Sequence, residues 1–252
     1  MDFNDRVILV TGAARGIGRA CAEAFASLGG TLAVHCHTSR VQAEALVKAL
    51  PGARHRVFAA DLAQPAACER LIRDIIVHFG KLDVLVNNAG IYEPRPLQEL
   101  SYEAWQATWK RTLDINLLAA ANLCFLVAQQ MRARGRGHII NISSRGAFRG
   151  EPDAPAYGAA KAGLNQLSQS LAQALAPHNV FVGVVAPGFV ETDMAAELLN
   201  GPDGEAIRAQ SPLRRVATPQ EIAAAVTRLA ADGMLYATGC ILDVNGASYL
   251  RS

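Results

Sequence analysis

The 252-residue chain has little charge: 18% of its residues are charged, and 24 basic side chains against 22 acidic ones leave a formal net charge of +2. A balance so close to neutral argues against a dedicated nucleic-acid surface or a polybasic membrane surface. Cysteine is sparse and scattered. Cys21, Cys36, Cys68, Cys124 and Cys240 contain no Cys-x-x-Cys and no paired spacing. That excludes a disulfide scaffold and suggests buried thiols in a reducing, cytoplasmic compartment. There is no long hydrophobic run: the longest strongly apolar stretch, Leu117 to Ala128, carries Asn122 and is too short to span a bilayer. The first residues, Met1-Asp2-Phe3-Asn4-Asp5-Arg6, are polar and acidic, unlike a signal peptide. The histidines show no metal-ligand spacing, so no metal is expected, and no repeat, low-complexity tract or linker divides the chain. Apolar residues, by contrast, make up 51% of it, enough to bury a large core.

Short β-branched runs alternate with longer alanine- and leucine-rich stretches. Strands are expected at Val7–Val10, Thr31–Cys36, Arg56–Ala59, Asp83–Val86, His138–Ile142, Phe181–Val185 and Ile241–Val244. Most are continuously apolar, the pattern of strands covered on both faces. Helical periodicity covers Ile17–Leu28, Arg40–Leu50, Pro65–Phe79, Tyr102–Arg134, Gly158–Ala176 and Pro219–Ala231. Gly29-Gly30 is suited to stopping the first helix, and Thr218-Pro219-Gln220-Glu221 to starting the last. Such alternation implies an α/β fold: a single Rossmann-type doubly wound domain over residues 1–252, its seven-stranded parallel sheet flanked by helices. The stretch 191–213, with the breakers Asn200-Gly201-Pro202-Asp203-Gly204, is expected to be an irregular, flexible flap.

Three motifs carry chemistry. Thr11-Gly12-Ala13-Ala14-Arg15-Gly16-Ile17-Gly18 lies between the first strand and the first helix, where glycines let a backbone approach a pyrophosphate and a helix N-terminus offers N–H donors. Alone, such a turn serves packing as readily as phosphate. Asp83-Val84-Leu85-Val86-Asn87-Asn88-Ala89-Gly90 is a strand that ends in two amides and a glycine, which by itself is equally an ordinary turn. Tyr157 and Lys161, four apart on a helix, share one face. A free phenol has a pKa of about 10, and a neighbouring ammonium favours phenolate and would bring the phenol toward neutrality. A surface Tyr/Lys pair has the same spacing.

Taken together and in order, Thr11–Gly18, Asp61-Leu62, Asn87–Gly90, Asn116, Ser143-Ser144, Tyr157–Lys161 and Pro187-Gly188 resemble the short-chain dehydrogenase/reductase family over almost the whole chain. The resemblance implies a nicotinamide-dependent oxidoreductase that interconverts a carbonyl and a secondary alcohol. It makes Tyr157 the proton donor, Lys161 the group that lowers its pKa and holds the nicotinamide ribose, and Ser144, rather than Ser143, the residue that polarises the substrate oxygen. Asn116 resembles the amide that holds a relay water. On the cofactor side it implies Gly12, Arg15, Gly16, Ile17 and Gly18 at the phosphates and Asp61 with Leu62 at adenine. Asn88, Ala89 and Gly90 would form the adenosine-side turn, and Pro187, Gly188, Val190 and Thr192 would lie at the carboxamide. At the end of the second strand, His35-Cys36-His37-Thr38-Ser39-Arg40 lacks the carboxylate that often binds an NAD ribose. With Arg15 and Arg40 near, and Thr38 and Ser39 between, NADP(H) is favoured over NAD(H). Ser39-x-x-Gln42 also reads as a capping box that would leave Arg40 merely solvated.

Within the family the resemblance is greatest to 3-oxoacyl-[acyl-carrier-protein] reductases, through Val184–Met194 and Asp243-Val244-Asn245-Gly246. Departures are Pro177-His178-Asn179 in place of the usual Arg-Gly, Ala247 in place of a second glycine, and a longer stretch before Asn116. The expected substrate is a small carbonyl or alcohol, or an acyl thioester, with another ketone reductase or an NAD(H)-linked alcohol or sugar dehydrogenase as the alternative. A non-catalytic nicotinamide-binding regulatory protein is the reading from a different class. The expected assembly is a homotetramer in the cytoplasm, without nucleic acid or membrane.

Overall fold

In a computed structural model, which describes residues 1–251, the strands join one sheet. They are β1 (Val7–Val10), β2 (Thr31–Cys36), β3 (Arg56–Ala59), β4 (Val84–Asn87), β5 (Gly137–Ile142), β6 (Val180–Pro187) and β7 (Ile241–Val244). All pairings are parallel, in the order β3-β2-β1-β4-β5-β6-β7. The winding direction therefore reverses at β1, between β2 and β4, and a crevice opens there at the strands' carboxyl ends. All seven expected strands are present, with ends shifted by at most two residues.

The sheet's two faces explain the continuously apolar strands. Ile8 and Val10 of β1 point into a core shared with α1 (Gly16–Ser27), α2 (Arg40–Ala49) and α10 (Pro219–Leu229). Val7 and Leu9 point the other way, toward α3 (Pro65–Phe79), α5 (Ala119–Arg134) and α7 (Pro155–Leu175). Central strands buried on both faces have no solvent side to make polar. The edge strand β3 is exposed at both ends and half-buried between them.

Local chemistry sets some of the helix ends. Thr218 and Glu221 form the reciprocal capping box at α10, and Gly29, at φ +89°, follows the end of α1. No hydrogen bond from the Ser39 side chain caps α2, so the Ser39/Gln42 box does not form. The expected single helix Tyr102–Arg134 is α4 (Tyr102–Leu113) and α5 joined without a break by a π turn, Asp114–Leu118. There Ala119 N–H donates to the Asp114 carbonyl, five residues back. π turns cluster at functional sites, and this one carries Asn116. By length and composition the run could cross a membrane, but its Leu123, Cys124, Val127 and Met131 are packed into the core. The 191–213 stretch is not irregular: it holds α8 (Asp193–Asn200) and α9 (Gly204–Ala209). Between Ser143 and Tyr157 lies a further short helix, α6 (Gly146–Arg149).

β4 begins one residue later than expected; Asp83 still joins Val7 and His138 through its backbone, and its side chain is spent on its neighbours. It accepts from Val7 N–H at 2.9 Å and from Arg134 at 2.5 Å, with Lys81 at 3.2 Å. Burial would raise this carboxyl, but the Arg134 and Val7 hydrogen bonds and the two cations outweigh it and hold it below the usual range. Its stabilising contribution is therefore complete above the ordinary carboxylate pKa and disappears as the pH falls through the lowered value. Asp83→Asn should cost about 2–3 kcal/mol, less than a fully buried pair because both cations keep some solvent. Melts across the acid range should show the variant losing less stability than wild type on acidification; parallel curves would contradict this role.

Candidate active site

The glycine-rich turn after β1 is built from its own backbone outward. Gly12 and Gly16 have φ +63° and +54°, the left-handed region that costs other residues energy. Space is as limiting as angle: a Cβ on Gly12 would meet Ala89 Cα at 3.1 Å. Three side chains brace the turn. Thr11 Oγ1 accepts from Asn88 N–H and Ala89 N–H, both at 2.9 Å. Asn88 Nδ2 donates to the carbonyls of Thr11 at 2.8 Å and Gly12 at 3.2 Å. His35 Nδ1 accepts from Gly12 N–H at 3.1 Å, while its Nε2 lies 3.1 Å from the Ala60 carbonyl. Burial pushes His35 down to about 4, so it is neutral near pH 7. Its bonds fix the tautomer: Nδ1 is the acceptor and Nε2–H the donor.

Just beyond, α1 starts with no capping side chain and no acidic residue in its first turn. Its leading N–H groups are left for a ligand, the arrangement that binds phosphate. A cavity of about 420 Å³ runs from this turn past the end of β2 to Tyr157 and Lys161. An extended dinucleotide fits this form, with its phosphates at the helix terminus and one end beside the tyrosine.

At the reactive end, β5 delivers Ser144 and α7 delivers Tyr157 and Lys161. Ser144 Oγ accepts from Gly146 N–H at 3.0 Å and lines the same end of the cavity as Tyr157. Ser143 turns away and donates to the Lys161 carbonyl at 3.3 Å, so the geometry distinguishes the two serines. Lys161 is 5% exposed and donates to the Ile142 carbonyl at 2.8 Å, with Nζ 5.7 Å from the Tyr157 ring centre. Burial pushes Tyr157 up to about 12, against the lowering influence of Ser144, and Lys161 down to about 8. The expectation that Lys161 brings the phenol toward neutrality is therefore not met: the ammonium is held on Ile142, and desolvation dominates. A phenol that stays protonated is equipped to donate.

The remaining expected residues divide. Arg15, Ile17, Thr38, Ser39, Asp61, Leu62, Gly90, Pro187, Gly188, Val190 and Thr192 line the cavity with the glycine turn, Asn88 and Ala89. Thr192 closes over the turn: a Cβ on Gly16 would touch its methyl at 3.3 Å. Three depart from expectation. Arg40 does not line the cavity; it pairs with Glu44 at 2.8 Å on the exposed face of α2, one helical turn along. Gly18 lies behind the wall, where a Cβ would run into the Gly12 carbonyl and Asn88, so its role is close packing. Asn116 also stands behind the wall. Its amide accepts from Ile91 N–H at 2.8 Å and donates to the Ile91 carbonyl at 2.9 Å, so both its groups brace a neighbouring loop.

Sequence reasoning gave no site role of their own to Thr11, which opens the glycine-rich motif, or to His35, Tyr92, Arg145 and Glu151. His35 lies in the segment read for cofactor choice, but only the strand register brings it to Gly12. Tyr92 packs edge-on against Tyr157, ring centres 5.1 Å apart, and Glu151 lines the same end of the cavity. Neither has a spacing that would mark it. Among the described residues no group of three His, Cys, Asp or Glu could hold a metal ion.

A nucleotide-shaped cleft at the winding reversal, with a tyrosine, lysine and serine at one end, defines a dinucleotide-dependent oxidoreductase site. Residues 12–247 match the family model described as enoyl-(acyl carrier protein) reductase, and the chain belongs to the short-chain dehydrogenase/reductase family, whose members act on carbonyl and alcohol groups. It is 39% identical to the 3-oxoacyl-[acyl-carrier-protein] reductase FabG of Escherichia coli (strain K12) over 99% of this chain and 100% of that protein. It is 37% identical to the acetoacetyl-CoA reductase of Allochromatium vinosum over 98% and 99% of the two chains. A crystal structure from Brucella melitensis, titled a short-chain dehydrogenase/reductase of glucose/ribitol dehydrogenase type, superposes with a TM-score of 0.89 at 32% identity, each chain fully covered.

Proposed function

We propose that the chain, acting as a single domain, uses NADPH to reduce the ketone of its substrate, with 3-oxoacyl thioesters as the leading class. The observation that carries this reading is the gathering of Ser144, Tyr157 and Lys161 at the end of a cleft that begins at an uncapped helix terminus. The full-length similarity to two proteins named as reductases of 3-oxoacyl and acetoacetyl thioesters supports the substrate class. The bound cofactor supplies the hydride. The chain's own residues do the rest: Ser144 hydrogen-bonds the substrate oxygen as it gains charge, and Tyr157 gives that oxygen its proton. Lys161 would hold the nicotinamide ribose. The glycine turn and Arg15 would hold the phosphates.

NADPH is favoured because the end of β2 offers no carboxylate and lines the cavity with His37, Thr38 and Ser39, near Arg15. Arg40 is not part of this argument. Free thiols, four of the five buried, suit a cytoplasmic enzyme. A homotetramer is supported by apolar side chains with no partner in one chain: Leu118, in the π turn, and Phe125, on α5, are 49% and 65% exposed, and Leu242 and Leu250 stand out beside β7. The Brucella neighbour's title favours a second reading, oxidation of a polyol, with the same residues run in reverse.

Assay of 3-oxoacyl thioesters, simple ketones and polyols with each cofactor, followed by nicotinamide absorbance, decides between them. Thioester reduction should be fastest with NADPH. Thr38→Asp should move the preference toward NADH by repelling a 2′-phosphate, whereas Arg40→Ala should leave it unchanged. Tyr157→Phe should lower turnover by about a hundredfold or more, the scale of a lost general acid, with cofactor affinity little changed. With the phenol near 12, reduction should need no deprotonation, and the reverse oxidation should climb as pH rises from 7 to 10. A folded Tyr157→Phe protein with full activity would overturn the mechanism. Light scattering at micromolar concentration should give four times the one-chain mass; a monomer would contradict the assembly.

A further inference from the structure

We propose that Arg145 is a positioning residue for this reaction: through Gln210 it latches the 191–213 flap onto the loop that carries Ser144, and so sets how tightly substrate is enclosed. Arg145 follows Ser144 directly and is 4% exposed. A buried guanidinium ordinarily sits against a carboxylate. Among the described residues Arg145 forms no ion pair; its partners are neutral. Nη1 donates to Ser248 Oγ at 2.6 Å, Nη2 donates to Gln210 Oε1 at 2.5 Å, and the guanidinium stacks 4.9 Å from the Phe189 ring centre. One side chain thus joins four segments: the loop after β5, the Phe189 segment after β6, the end of the flap, and the C-terminal turn. It also stands on the boundary between the reactive cavity and an adjoining cavity of about 760 Å³.

The flap depends on such contacts because its apolar packing is shared, outside the flap, with Phe189 and Val216 near its two ends. Ala195, Leu199 and Ile207, with Phe189, Leu198 and Val216, form a small cluster separate from the cores on the two faces of the sheet. A satellite cluster of this kind opens at lower free energy than the sheet beneath it. Gln210 is the flap's contact with the Ser144 loop, and Arg149 approaches the same amide oxygen at 3.4 Å. A neutral amide returns less to a desolvated cation than a carboxylate would. The latch is therefore closed but releasable, and a single atom's charge at position 210 should tune it in either direction.

Gln210 is exposed, so it can be changed without disturbing either core. The proposal rests on the reductase reading for its kinetic arm only, and limited proteolysis at the Asn200–Gly204 turn tests the latch without turnover. Gln210→Ala should speed cleavage there about threefold, the effect of losing one net hydrogen bond, and raise KM for the carbonyl substrate more than it alters kcat. Gln210→Glu should slow cleavage by a similar factor, lower KM, and lower kcat in a viscosity-dependent manner as opening becomes limiting. In an Arg145→Met background both changes should lose their effect. A simple packing role for Gln210 would not move the two variants in opposite directions. Variants that match wild type, or that shift cleavage the same way, overturn the proposal. A wild-type protein that reduces no carbonyl yet shows the opposed cleavage shifts would instead overturn the reductase reading and leave the latch standing.

Discussion

The left-handed backbone at Gly12 is the constraint from which the site follows. A turn at φ +63° cannot continue the β1 ladder, so its polar groups need other partners. Thr11 and Asn88 supply them from the β1–β4 seam, and His35 supplies one from β2. These are the strands on either side of the winding reversal. The turn is therefore rigid because the sheet is wound as it is, and α1 is launched with its first N–H groups directed into the crevice. A neutral His35 is part of that rigidity, since a protonated ring would present Gly12 N–H with a donor in place of an acceptor.

At the other end of the cleft burial governs the chemistry. The same desolvation raises Tyr157 and lowers Lys161, in each case favouring the uncharged form. For the tyrosine this keeps the proton in place until an oxygen of greater basicity arrives. For the lysine, the Ile142 carbonyl holds the ammonium in one position, where it can serve a ligand without drifting toward the phenol. Edge-on packing of Tyr92 restrains the phenol ring from the opposite side.

What the sequence made legible was whatever depends on neighbours along the chain. The central strands were legible because burial on both faces removes the polar residues that would obscure them, and α10 because its capping box is local. Ser144, Tyr157 and Lys161 could be named from the resemblance to the family. Arg40 could not be placed, because its choice between a phosphate and Glu44 turns on a helix start that Ser39 does not cap. Asn116 was found as a position but not as a contact: the π turn that aims it at Ile91 has no residue signature. His35, Arg145 and Glu151 act across strands or loops far apart in sequence, so no local pattern announces them.

Amide hydrogen exchange with and without NADPH tests the central claim, that the braced glycine turn and the tyrosine end form one continuous cofactor cleft. Protection should rise together over Gly12–Gly18, Asn88–Tyr92 and Pro187–Thr192, the three segments that meet along it, while α2 beyond Ser39 stays unchanged. Protection confined to one of these segments, or appearing instead along α2, would contradict the account.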